Sequence, residues 1–289
     1  MFNIVNTLVF IWFTGPIARL VEYLVPDKPL EEKRIIAPKY LDEELIETPS
    51  LALERTRLEI GHMGERVQEM LDRMMPAVLS GDRNTLVDLA KLDNEVDILH
   101  GHIVTYLGKI SRKALTDGQT EQFIRLMDAV NDHENIGDII ETDLVSLGEK
   151  RIEHGVSVSE ETRSLLDNFN DEVSKAVRIA IEAVMENDQK EAQEVISMKN
   201  DIARLAAEAL AHQAERLIAP EPGRLEVYSL EIGLIEKLKR IAKDVMPVFV
   251  GAAPSPRSIG ARRASYKRCR HYAGFNRIFR IRDTETIWW

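Results

Sequence analysis

One cysteine, Cys269, stands in a chain of 289 residues, so no disulfide forms within it and no cysteine-based zinc site is available. Aromatic residues make up only 6% of the chain, and no run shows the apolar–polar alternation of a half-buried strand. Both shortages argue against a sheet sandwich. The abundance of Leu, Ala, Glu, Ile and Val favours helices instead. No glycine loop of the phosphate-cradling kind and no nucleophile constellation occurs, so no enzyme is expected. Outside the C-terminal end acids outnumber bases. The net charge is −10; from Gly251 onward nine Lys/Arg face two acids, about +7, which leaves about −17 on the rest. So acidic a body is a poor nucleic-acid binder, and no nucleic acid is expected as a partner. Its natural small partners are cations.

Charge is also missing from the start of the chain. No charged side chain occurs between Met1 and Ala18, and Arg19 and Glu22 are the only two up to Pro26. A bilayer core needs about 20 apolar residues. Residues 1–26 therefore read as a membrane-inserted helix, with Trp12 and Tyr23 suited to its interfaces. Asn3, Asn6 and Pro16 fit if other helices cover them. The alternative is an apolar helix in a protein core. A signal peptide is not indicated, because no basic region precedes the apolar run. Residues 27–50 follow as a linker: Pro29, Pro38 and Pro49 prevent one continuous helix. Thr48-Pro49-Ser50 predicts a helix start, with Glu54 available for capping.

The body is helical throughout. Leu58, Ile60, Met63, Val67, Met70, Leu71 and Met74 recur at helical steps. Breaks fall at Ser80–Asp82, Thr116–Gln119, Glu153–Glu161, Glu186–Asp188 and Ala219–Gly223, which yields six long helices with short connections. Long helices so joined lie antiparallel in bundles. The chain also repeats itself. Ala77, Val78, Asp82 and Leu99 recur 106 residues later as Ala183, Val184, Asp188 and Leu205. The expected architecture is all-α: a tandem pair of three-helix bundles, residues 51–155 and 156–250, preceded by one membrane-type helix.

DAVNDHENIGDIIETD, Asp128 to Asp143, carries six carboxylates, and no Lys or Arg occurs from Leu126 to Gly148. Glu134 and Asp138 are four apart and share a helix face, a spacing at which like charges destabilise. The preceding helix carries a second such pair, Asp93 and Asp97. Antiparallel neighbours can converge all four on one spot, where repulsion demands a cation. Oxygen-rich sites suit Mg, Mn, Fe, Ca and, less well, Zn, so a divalent or iron-type metal is the expected cofactor. Asp97-x-x-His100 echoes the Glu-x-x-His of di-iron bundles and makes His100 a further candidate ligand. A di-metal carboxylate enzyme is the corresponding alternative function. The plain alternative is a solvated acidic face. His133 is expected at the surface. At the equivalent places in the second repeat stand Lys199, Lys239 and Lys243, either ordinary surface lysines or an anion-binding patch.

These motifs carry a resemblance. Asp93-x-x-x-Asp97 and HENIGD (His133 to Asp138) are similar to the metal-binding motifs of PhoU, the helical regulator of bacterial phosphate uptake, with Asn135 where its signature has Arg. FNIVNTLVFIWF (Phe2 to Phe13) and KYLDEELIETPSLALERTRLEI (Lys39 to Ile60) resemble the junction in bacterial sodium/phosphate cotransporters, where the last membrane helix leads into a cytoplasmic PhoU-like domain. The resemblance implies a regulatory C-terminal part of a sodium-dependent phosphate transporter, at the cell membrane, with its helical domain on the cytoplasmic side and the transporter's membrane core as partner. No Gln-Ser-Ser occurs, and one apolar helix cannot form an alternating-access path, so the chain is not expected to transport phosphate alone. A free-standing PhoU-like regulator is the alternative. Residues 251–289, basic and without helical periodicity, read as a disordered tail. Its interleaved aromatics also suit lipid or a homodimer contact.

Overall fold

The structure is a computed structural model that describes residues 36–186, 189–217 and 224–245. The expected membrane helix at 1–26, the linker residues 27–35 and the tail at 251–289 lie outside the described residues. Seven α-helices and no strand occur among the described residues: α1 Pro49–Ser80, α2 Arg83–Ile110, α3 Asp117–Asp138, α4 Val145–Glu153, α5 Glu160–Glu186, α6 Gln189–Leu217 and α7 Arg224–Val245. A π-helical turn, Ile139–Leu144, joins α3 to α4, so these two form one continuous rod. None of the described helices is long and apolar enough to cross a membrane.

Local chemistry sets the breaks. Gly81 takes a left-handed φ of 77°, which costs a residue without Cβ little. Its N–H and that of Asp82 both reach the Ala77 carbonyl, at 2.9 and 3.1 Å, and close α1. Asp82 then opens α2: its carboxylate accepts the N–H of Asn84 at 3.1 Å and of Thr85 at 3.3 Å. Those bonds, led by one from the Thr85 hydroxyl, hold the Asp82 carboxyl below its ordinary range. Thr116 and Gln119 form a reciprocal capping box at the start of α3. α1 starts at Pro49, where the sequence placed it, but its capping differs. Pro49 occupies its first turn, where its missing N–H leaves no donor unpaired, and the Thr48 side chain makes no cap bond. Glu54 instead accepts from Gln122 of α3 at 3.0 Å.

The core lies around α1. Ile60, Met63, Val67, Met70, Leu71 and Met74 are fully buried, and Leu58 alone of the expected stripe is half-exposed. α1 packs on α2, α3 and α4, and also on α5. α5 packs in turn on α6 and α7. Gly64 allows close approach here: a Cβ at that position would sit 2.9 Å from His133 Nε2 on α3 and from Ile181 on α5. The last carbonyls of α1 are capped across helices, Val78 by Arg151 at 3.2 Å and Leu79 by Arg163 at 2.9 Å. α7 lies along the α3–α4 rod, against α3, the π-turn and α4.

Candidate metal centre

α2 and α3 pack side by side and bring three of the four expected carboxylates together. Asp93 and Asp97 of α2 and Asp138 at the end of α3 each place a carboxylate oxygen within 4.8 Å of the other two. Among the described residues this is the one place where three such ligand atoms converge. Asp93 is 8% exposed, while Asp97 and Asp138 face solvent. Gly137 makes the approach possible, since a Cβ there would meet Asp93 Oδ1 at 2.8 Å. Gly137→Ala is therefore expected to displace the Asp93 carboxylate and weaken cation affinity by about tenfold, roughly the 1.4 kcal/mol of one lost ligand contact in poor geometry. Calorimetric titration with Mn²⁺ checks it.

Glu134 lies outside this triplet, one turn before Asp138. It remains within electrostatic reach: burial first, then Asp138, raises its carboxyl above the ordinary range. Glu141, in the π-turn, acts on the triplet from the other side. Its charge raises Asp93, Asp97 and Asp138 alike. Sequence reasoning passed it over. The available signal was its three-residue step from Asp138, which keeps a helix face, and a π-turn at that point is a frequent mark of functional sites. His100 turns its Nε2 to Asn131 Oδ1 at 3.2 Å. Its charge opposes the upward shifts of Asp97 and Glu134 without joining the triplet.

Burial, followed by the charges of Asp97 and Asp138, pushes the Asp93 carboxyl up to about 7. Asp132, on another part of α3, is pushed up to about 7 as well, by burial and then by Asp128 and Asp244. Both groups hold protons in the folded state at pH values where the unfolded chain, at 3.8, has lost them. Their contribution to stability is complete at low pH and is lost as pH rises toward 7. The cation-free protein is expected to be less stable at pH 8 than at pH 5.5, by on the order of 2 kcal/mol after solvent screening. Urea unfolding of EDTA-treated protein at the two pH values measures this.

The bases missing between Leu126 and Gly148 come from α7. Lys237 pairs with Asp143 at 2.7 Å, and Arg240 lowers the pull on Asp138. These partners stabilise the flanks of the acidic rod. His133 is not at the surface as expected. It is buried, held neutral by desolvation, and its Nδ1–H donates to the Ala129 carbonyl at 2.6 Å. The reason is the contact with Gly64, which turns that side of α3 inward. Of the second-repeat lysines, Lys239 pairs with Glu236 of its own helix at 2.7 Å. Lys199 and Lys243 are exposed.

The donor set is all oxygen and one member is buried. That fits a hard divalent metal such as Mg²⁺, Mn²⁺ or Ca²⁺. Residues 60–142 match the PhoU domain. The matched stretch includes Asp93, Asp97, Glu134, Asp138 and Glu141. The fold agrees: the crystal structure of PhoU from Pseudomonas aeruginosa superposes with a TM-score of 0.64 at 18% identity, over 68% of this chain and 93% of that one. The expected all-α, PhoU-like bundle architecture is thus present. The chain is also homologous to the protein named "Putative inorganic phosphate export protein YjbB". It is 24% identical to that of Salmonella typhimurium and 22% identical to that of Escherichia coli K12, over 83% of this chain in each case. The chain spans 44% of the length of these relatives.

Proposed function

We propose that this chain is a non-enzymatic PhoU-like regulatory domain for phosphate transport, in which Asp93, Asp97 and Asp138, flanked by Glu141 and Glu134, hold a divalent cation that fixes how α2 and α3 pack. The observation that carries this reading is the convergence of the three carboxylates inside the stretch that matches the PhoU domain. The printed name of the YjbB relatives supports inorganic phosphate as the transported species. In this reading the domain is joined to a membrane transporter core on its cytoplasmic side. Sodium coupling and membrane attachment through residues 1–26 rest on the resemblance of Phe2–Phe13 and Lys39–Ile60 to the cotransporter junction.

The free-standing regulator is the second reading, favoured by the 93% of the Pseudomonas PhoU chain that the fold accounts for. Membrane fractionation of the full chain separates the two. Retention on membranes after carbonate washing supports attachment, and release by salt alone supports a free regulator. Both readings require that deleting the protein changes radiolabelled phosphate flux across the cell membrane, and that Asp97→Asn with Asp138→Asn reproduces the deletion. Unchanged flux in the deletion strain would refute both.

A further inference from the structure

Between Ala37 and Thr48 the chain runs against α1 and α2 as a strap, fastened at several points by polar contacts. Ile46 is its one buried residue. Its middle is a single 3-10 turn, Glu43–Glu47, capped by Asp42, whose carboxylate accepts the Glu44 N–H at 2.9 Å. Four groups of the bundle fasten it. The Tyr40 N–H donates to Glu59 Oε2 of α1 at 2.6 Å. The Tyr106 hydroxyl of α2 donates to the Asp42 carbonyl at 2.6 Å. Lys109 and Lys113, at the end of α2, pair with Glu43 and Glu47.

Glu59 is the unusual member. Its residue is 0% exposed, yet it sits on a helix whose buried face is otherwise mostly apolar. A buried carboxylate needs partners, and removing the last one leaves a strongly unfavourable group. Glu59 has two. The strap supplies one, and His62, one turn along α1 and 4% exposed, supplies the other through Nδ1 at 2.8 Å from Oε1. The second partner belongs to the same helix and stays when the strap leaves. Lifting the strap therefore opens Glu59 to water with His62 still beside it. Ile46 is the one buried apolar side chain uncovered in the process, Leu41 and Leu45 being already part-exposed. The two lysine pairs are largely solvated and give way readily to salt. Segments with few apolar contacts and solvent-facing polar bonds are the ones that open locally, well before the global transition.

We propose that the strap is a releasable latch, docked on Glu59, Tyr106, Lys109 and Lys113 in one state and free in the other, so that a pull on the chain before Ala37 is registered at α1 and α2 without unfolding the bundle. The strap is the covalent path from the first 36 residues to the helices. α1 and α2 are the two helices it clasps, and α2 also bears Asp93 and Asp97. The latch itself stands on the strap contacts alone and does not depend on a metal.

Hydrogen exchange of the full chain, read by mass spectrometry, tests the proposal. In the unaltered protein the amides of residues 40–48 are expected to be protected, but to exchange at least tenfold faster than those in the middle of α1. Glu43→Ala with Glu47→Ala removes two exposed side chains and leaves the helices intact. It is expected to speed strap exchange about tenfold while the amides of α1 and α2 are unchanged. Tyr106→Phe is expected to do the same without altering any charge. Raising the salt concentration should speed the strap in the unaltered protein and have no further effect in Glu43→Ala/Glu47→Ala. Strap amides without protection in the unaltered protein would overturn the docked state. Strap and α1 amides accelerating together in the variants would overturn independent release.

Discussion

Protein stripped of metal and then supplied with 1 mM Mn²⁺ at pH 7.5 is expected to melt several degrees higher, and Asp97→Asn or Asp138→Asn is expected to lose that gain. A ligand that binds only the folded state at 100 times its Kd stabilises by about 2.7 kcal/mol, or roughly 5–10 °C for a chain of this size. The physical source is specific to this site. Without a cation, three carboxylates stand within 4.8 Å of one another, and the buried one is pushed up to about 7. A divalent ion replaces that repulsion with attraction. The neutral variants should therefore show a double signature: higher stability than the unaltered protein in EDTA, and no response to Mn²⁺. Glu141→Gln is expected to weaken the response in part, since its charge bears on all three ligands. His100→Ala should not weaken it, because that ring gives the triplet no ligand atom and is bonded to Asn131. Thermal melts by circular dichroism with parallel metal analysis decide the matter. Identical melting of all variants with and without Mn²⁺, and negligible metal in each, would leave only an acidic scaffold.

Phe169→Ala should cost about 3–5 kcal/mol, the largest effect expected of a single truncation here. Phe169 has 0% exposure and is the largest fully buried side chain on α5, the helix that packs at once on α1, α6 and α7. α5 packs chiefly on α1, α6 and α7, so a cavity on it is expected to spare the carboxylates of α2 and α3. Denaturant midpoints should fall accordingly, while Mn²⁺ affinity at low denaturant stays within about twofold. A variant that loses stability and cation affinity together would show that the α1–α5 contact holds the carboxylates in place.

The reading of the helices came from short-range signals, and those signals are physical. Gly81 and Asp82 stop one helix and start the next because a left-handed residue and a side-chain acceptor act over a few bonds. The same holds for Thr116 and Gln119. Where a local signal misled, a contact distant in the chain prevailed: Glu54, expected to cap α1, accepts from Gln122 of α3 instead. Partners were harder to read. Lys237 and Arg240, which offset the acidic rod, are about 100 residues away in the chain, and nothing in their neighbours' sequence names Asp143 or Asp138 as their counterparts. His133 read as a surface residue because its helix face was judged from the acids beside it, whereas the packing of Gly64 decided its burial.

The sequence by itself determined that this is a chain of long helices with an excess of acid at Asp93, Asp97, Glu134 and Asp138, because helix periodicity, caps and charge are properties of neighbours along the chain. Only the tertiary structure decided which of those acids meet. Asp93, Asp97 and Asp138 converge, Glu134 stands one turn away, and Glu141 comes round on a π-turn. That choice depends on the axial stagger of α2 against α3 and on the missing Cβ of Gly137, and a shift of one residue along either helix turns a side chain by about 100°.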